Sequence, residues 1–361
     1  MHALLAPSAA PRWGYCAGSV VLSALFPDHQ SDAAKEGHDA HEVAFAIATG
    51  RVRPKNMTRE MEEGARLYID AIQSFNWPSN VWHFEEHTDA HLIHPECGGT
   101  PDAWGFHDGT LVIADYKFGH GFVDAVENYQ LICYAAGVLP KLDGQQIDRV
   151  VFVVVQPRNF HRDGPVRKWE VSYRDLMPHI DHLRTQAEEA LGGAPTFSVD
   201  GSKQCKYCPG RHACPALQQS AYDACERSDT SLPLVLAPPA LALEIKAMQR
   251  ASDALSARLS GLEEQAFASI RSGKPVPGFA IENGVGRLDW AVPVDQIVKV
   301  AAAFGVDISK PAALTPTQAA KAGLDDAVIK QYSQRPAGKI KLVPVNTSRA
   351  AKAFGKSESE K

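Results

Sequence analysis

Three side chains are placed to act together on a phosphate ester: Asp102, which follows Pro101, and the two charged residues of Asp115-Tyr116-Lys117. Breaking a phosphodiester bond calls for a divalent cation to neutralise developing charge, carboxylates on rigid backbone to hold it, and a positioned water. Mg²⁺ takes one or two protein carboxylates and fills its remaining positions with water and substrate oxygens. Asp108-Gly109 is a strong hairpin signal, so Asp102 and Asp115 fall on neighbouring antiparallel strands, where facing side chains lie roughly 5 Å apart. Lys117, two residues beyond Asp115, shares its face of the strand. Its ammonium can orient an attacking water or stabilise the transition state. Alone, however, an Asp-x-Lys step more often describes a surface ion pair on a strand.

The surrounding pattern supplies elements to carry these residues. Helical spacing of apolar residues runs through 32–49 and 58–75, after a short helical start at 8–26 capped by Ser8. The period then shifts toward two at 81–87, 91–93 and 97–106, and 110–117 is an apolar strand ending on Asp115-Tyr116-Lys117. A helix is predicted over 124–139, a buried strand over 150–155, a further strand near Trp169-Glu170-Val171, and a helix over 173–191 that Gly192-Gly193 ends.

Past these lies a Ser/Pro/Leu-rich stretch, 228–240, predicted as a linker. A long amphipathic helix over 241–270 comes next, then a small hairpin from 278–282 and 287–290, and short helices near 294–304 and 317–321. The charged tail 356–361 has the composition of a disordered segment. The reading is therefore an α/β core over 1–227 and a helical extension over 241–355.

Taken in order, the motifs resemble the RecB-type branch of the PD-(D/E)XK nuclease superfamily. They are Gly37-His38-Asp39-Ala40-His41, Gly99-Thr100-Pro101-Asp102, Asp115-Tyr116-Lys117 and Gln130-Leu131-Ile132-Cys133-Tyr134. The resemblance implies a restriction-endonuclease-like fold, with a mixed central sheet flanked by helices. It implies metal ligands at His41, Asp102 and Asp115 with the Tyr116 carbonyl assisting, a catalytic lysine at Lys117, and Gln130 and Tyr134 positioning the active site and the DNA. A histidine ligand makes Mn²⁺ a partner of such a site beside Mg²⁺. The extension is similar to that of an uncharacterised phage and prophage family. The implied protein is a deoxyribonuclease, an exonuclease acting on single- or double-stranded DNA ends in phage replication or recombination, with a phage single-strand-binding or replication protein as companion. Two rivals share the motifs: a non-catalytic DNA-binding scaffold that kept the fold, and a nuclease that processes spacers as in CRISPR adaptation.

No run approaches the roughly 18 apolar residues that cross a bilayer, and the first seven residues are too short and Pro-rich for a signal segment. A cytoplasmic setting in a bacterial host is expected. There, three of the seven cysteines crowd into Cys205-x2-Cys208-x5-Cys214, a spacing suited to metal or cluster ligation rather than disulfides. A cuboidal iron–sulfur cluster wants four thiolates, and Cys225 is the nearest fourth in sequence. The AddB-like and CRISPR-associated members of the resembled branch take one ligand from far upstream, which points to Cys16 and to a [4Fe–4S] cluster on Cys16, Cys205, Cys208 and Cys214. A zinc site using Cys225 in place of Cys16 is the alternative.

Composition is that of an ordinary globular chain: 361 residues, 45% hydrophobic and 22% charged. The net charge of −5, from 37 basic and 42 acidic residues, excludes a protein that binds nucleic acid by overall charge. It leaves room for a local basic track such as Arg158, Arg162, Arg167 and Lys168. The strand spacing of His83, His87, His91 and His94 reads as surface histidines, and Cys97 and Cys133 as small core residues.

Overall fold

In the computed structural model the described residues are 4–26, 32–159, 163–199, 203–226, 236–285, 289–308, 315–334 and 337–344. The linker expected over 228–240 lies largely outside them, as do the expected disordered tail and Arg162. The chain forms two compact units, Met1–Gly261 and Leu262–Lys361.

The first unit opens with α1 (Ala10–Trp13) and α2 (Gly18–Ala24), so the helical start breaks where Gly14 and Cys16 interrupt it. Two longer helices come next, α3 (Asp32–Thr49) and α4 (Arg59–Gln73). The Thr58 hydroxyl accepts from Met61 N to cap α4, and Glu60 and Glu62 in its first turn complement the helix dipole. Then come β1 (Trp82–Phe84), β2 (Thr88–Asp89), β3 (Gly98–Gly99), β4 (Ala103–His107), β5 (Thr110–Tyr116), α5 (Tyr129–Val138), β6 (Arg149–Val155), β7 (Val166–Ser172) and α6 (Tyr173–Leu191).

A mixed α/β architecture results, with a five-stranded central sheet in the order β1-β4-β5-β6-β7. All neighbours are antiparallel except β5 and β6. The Asp108-Gly109 turn joins β4 to β5 with both residues at positive φ, 43° and 70°, the conformation a tight hairpin of this hand demands. Ala103 therefore pairs with Ala114, and just past that pair the Asp102 side chain accepts from Tyr116 N, beside Asp115.

Alternation along β5 and β6 divides the core. Leu111, Ile113, Val150, Phe152 and Val154 point to α5 and α6, where they join Leu131, Ile132, Leu176, Ile180 and Leu183. Val112, Ala114, Tyr116, Val151, Val153 and Val155 point to α3 and α4, where they join Val43, Ala65 and Tyr68. Every residue of β5 is buried, which is why it reads as a continuous apolar run.

Two expectations differ here. Residues 91–93 form a turn rather than a strand. The helix predicted from 124 begins only at Tyr129, because the Asn128 side chain accepts from Gln130 N and Leu131 N and so starts the helix there.

Beyond the sheet lie α7 (Lys203–Lys206), α8 (Pro215–Glu226) and α9 (Pro238–Arg271), the last running past the unit boundary at Gly261. The second unit holds β8 (Phe279–Val285), β9 (Asp289–Trp290), α10 (Val294–Ala303), α11 (Pro316–Lys321), α12 (Asp326–Tyr332), β10 (Ser333–Gln334) and β11 (Ala337–Pro344). The hairpin expected between 278–282 and 287–290 does not form. β8 pairs with β11 and β9 with β10, so each strand takes its partner from the far end of the unit. Ile297, Ala301, Ile308, Leu324 and Ile329 make a separate small core. Among the described residues, no helix is long and apolar enough to cross a membrane.

Candidate active site

The carboxylates converge at the end of the β4–β5 hairpin. Asp115 is 2% exposed, and Lys117 Nζ lies 2.9 Å from each of its oxygens. Asp102 is fixed on both sides: Oδ2 accepts from Tyr116 N at 2.6 Å, and Oδ1 lies 3.0 Å from His41 Nδ1. His41 comes from the sheet-facing side of α3, where Ala40, Val43 and Ala44 bury that helix. From α5, Gln130 Nε2 donates to Asp115 Oδ1 at 3.2 Å and to the Tyr134 hydroxyl at 3.1 Å. Five expected residues, His41, Asp102, Asp115, Lys117 and Gln130, are thereby brought together, and Tyr134 stands behind Gln130.

Burial and charge compete at each group. Burial works to raise both aspartates; His41 and Lys117 hold Asp102 below the ordinary carboxylate range, whereas Asp115, beside Asp102, stays above it. Burial would lower Lys117 and His41, yet the neighbouring carboxylates hold both up. Lys117 and His41 balance these two aspartates, so the excess of negative charge that a divalent cation relieves comes from a third acid beside them.

One participant escaped sequence reasoning. Glu85 comes directly after β1, its amide donates to Asp102 O at 3.2 Å, and its φ is +50°. A non-glycine residue in that region costs on the order of 1 kcal/mol. Its carboxylate, His41 and Asp102 offer ligand atoms all within 4.8 Å of one another. Burial and the nearby Asp102 raise the Glu85 carboxyl to about 7. These three side chains, with His38, Glu42 and Phe45, line an open cleft of 330 Å³. No pattern signal marks Glu85, because its role depends on one turn of backbone.

The group of His41, Glu85 and Asp102, two carboxylates and one imidazole, suits a hard divalent ion; Asp115, expected as a ligand, is not part of that group, and its buried Oδ2 has no hydrogen-bond partner apart from its ion pair with Lys117. Gly99 of the Gly-x-x-Asp motif has a steric basis, since a Cβ there would meet Pro7 at 2.9 Å.

The cysteines form a second centre. Cys16, Cys205, Cys208 and Cys214 are each 7% exposed and line one small cavity with Ser19, Phe197 and Arg211, whereas Cys225 is exposed. Burial, reinforced by the other three sulfurs, pushes the Cys205 thiol up to about 12. Zn–S bonds of ~2.3 Å at tetrahedral angles would draw ligands to within ~3.8 Å of one another. Among the described residues the one group of three or more ligand atoms within 4.8 Å is that around His41, so the sulfurs are spread more widely than one zinc ion requires.

The expected basic track is otherwise employed. Arg158 is held by Glu36 at 2.8 Å and Glu60 at 2.7 Å and stacks on Phe118, because α3 and α4 carry those acids on the facing side. Arg167 is 5% exposed and bonded to Gln156, and Lys168 lies over the Phe75 ring. Of the discounted histidines, His83 stacks on Trp104 and pairs with Glu86, and His87 pairs with Asp89. Cys97 and Cys133 are core residues.

A family described as a protein of unknown function, DUF2800, matches residues 2–350. The chain belongs to that family. The match takes in both centres and most of the second unit, so the motifs and the extension are parts of one DUF2800 sequence. The chain is also similar to a solved structure, LHK-Exo in complex with dAMP, at 16% identity over 51% of this chain and 92% of that one. The TM-score is 0.25, too slight a likeness to bear on what this chain does.

Proposed function

We propose that this protein is a metal-dependent DNA nuclease of the PD-(D/E)XK superfamily, RecB-type branch, hydrolysing phosphodiester bonds at DNA ends. One observation carries the reading: the end of one hairpin gathers Asp102 and Asp115, with Lys117 and Gln130 on Asp115 and His41 on Asp102, beside an open cleft. Two ion pairs need two acids and two bases. Here three carboxylates, Asp102, Asp115 and Glu85, gather around two bases, His41 and Lys117, and that surplus of acid favours a cation and a phosphate as the missing partners.

His41, Asp102, Asp115 and the Tyr116 carbonyl, with Glu85 beside them, would hold Mg²⁺ or Mn²⁺. Such an ion supplies charge neutralisation at the scissile phosphate and a more acidic bound water. The chain's own groups do the rest. Lys117, its ammonium kept charged by Asp115, orients the attacking water and stabilises charge on the phosphoryl oxygens. Gln130 fixes the rotamer of Asp115, and Tyr134 fixes Gln130. Cys16, Cys205, Cys208 and Cys214 carry a [4Fe–4S] cluster that staples the start of the chain to the segment after α6. In this reading residues 1–227 are the nuclease body and 241–355 its extension, and the setting is phage replication or recombination.

The test uses end-labelled linear and covalently closed circular DNA with Mg²⁺ or Mn²⁺, comparing native protein with Lys117→Ala and Asp115→Ala. Cleavage of linear DNA that either substitution abolishes is expected. Equal cleavage by all three proteins, or none by the native protein with any divalent metal, defeats the reading.

A further inference from the structure

The segment between β5 and α5 starts at Lys117 and ends next to Gln130, so both of its ends reach Asp115. Its exposed tip is Gly119-His120-Gly121. Three successive carbonyls of this tip are tied down from one side. Gln156 Nε2 donates to Gly119 O at 2.7 Å and to Gly121 O at 2.6 Å, and Asn159 Nδ2 donates to His120 O at 2.9 Å. Gln156 is completely buried, and its Oε1 accepts from Val123 N at 3.2 Å and from Arg167 Nη2 at 2.5 Å. All four of its hydrogen-bonding positions serve this loop and the arginine behind it.

In a trans peptide the N–H points opposite to the carbonyl of the same unit. Holding the Gly119 and His120 carbonyls inward therefore turns the His120 and Gly121 amides outward. Neither meets an acceptor among the described residues. Nothing lies within 4 Å of where a Cβ would stand on Gly119 or Gly121. Residues 119–121 form a bend, and successive backbone amides turned to one side of a turn can hold an anion. Arg158, set between Glu36 and Glu60, offsets one of the two carboxylates near His120.

We infer that the 119–121 tip is a phosphate-binding nest: the His120 and Gly121 amides grip a backbone phosphate of the nucleic-acid strand next to the one at Lys117. Contact through phosphate alone positions the strand without reading its sequence. The identity of the ligand rests on the nuclease reading, and the anion site itself does not.

The experiment tracks the ¹⁵N amide resonances of His120 and Gly121 in the Asp115→Asn protein while six-nucleotide oligothymidine, or inorganic phosphate in a parallel arm, is added. Downfield movement of both amides is expected with the oligonucleotide, and a weaker movement with phosphate. His120→Pro and Gly121→Pro each delete one donor and should weaken oligonucleotide binding about tenfold, by the same factor for oligonucleotides of different sequence. A thermal melt and Mn²⁺ affinity close to those of the parent show that the loop variants keep their fold. If neither amide moves, or both proline variants bind like the parent, the nest is refuted even where native protein cleaves DNA. If the amides move with inorganic phosphate while native protein neither binds nor cleaves DNA, the nest stands and the nuclease reading falls.

Discussion

Lys117→Met separates a catalytic constellation from an ordinary strand ion pair. The substitution keeps the aliphatic stem and removes the ammonium that touches Asp115, leaving Asp102 and Asp115 side by side. Breaking a buried pair by removing one partner costs about 3–5 kcal/mol. Lys117 retains 25% side-chain exposure and the buried methionine stem regains some apolar contact, so the low end, about 3 kcal/mol, applies. For a unit of this size that is roughly a 6–12 °C fall in Tm.

A divalent cation should return most of it, because a ligand at a hundred times its Kd stabilises by about 2.7 kcal/mol. The variant's excess negative charge should make its Mn²⁺-induced rise in Tm larger than the native protein's. Differential scanning calorimetry with and without EDTA measures both quantities, and DNA cleavage by the refolded variant should be absent. A variant that melts with the native protein, gains nothing extra from Mn²⁺ and cleaves normally would refute the reasoning.

Gln130→Ala should leave the fold intact and slow cleavage about 10- to 100-fold, the worth of a hydrogen bond to a charged acceptor, seen as a fall in kcat at unchanged oligonucleotide affinity. Cys16→Ser should abolish brown colour and bound iron in anaerobically purified protein; a colourless, iron-free native sample would remove the cluster from the account. Glu36 and Glu60 are held below their ordinary values by hydrogen bonds from Arg158. Their contribution is thus present above the unfolded carboxyl pKa and is lost as pH falls through the folded values. Arg158→Ala should therefore lower stability slightly at pH 7, by under about 1 kcal/mol for these exposed acids, and the gap to native should narrow as pH falls below the ordinary carboxyl range and on through the lower folded values. A gap that stays constant into acid would show that the arginine acts by packing on Phe118 alone.

Much of the site was legible because its geometry arises from local rules. The Asp108-Gly109 turn sets the β4–β5 register, that register sets Asp102 beside Asp115, and period two brings Lys117 to Asp115. Gln130 and Tyr134 share a helix face by their spacing of four. The parts that sequence reasoning missed depend on contacts between segments distant in the chain. Arg158 looked free until α3 and α4 delivered Glu36 and Glu60 to it. Glu85 enters the cleft through a left-handed backbone that its residue type does not advertise. The partners of β8 and β9 lie far along the chain, where no turn signal joins them. The start of α5 was misplaced because Asn128, a residue that competes for backbone donors, was read as helix interior.

The placement of Cys16 bears on how the protein is made. Leu5 bridges to Cys97, and Gly18 N donates to Thr196 O, so the opening segment is seated by residues synthesised long after it. Cys16 leaves the ribosome about 200 residues ahead of Cys214, an interval on the order of ten to forty seconds at about 5–20 residues per second. For nearly all of that interval, until Cys205 emerges, its thiol has no companion of the same centre. The cysteine centre can close only once nearly the whole first unit has been synthesised, which makes any metal it takes up a late step of maturation rather than a nucleus for folding.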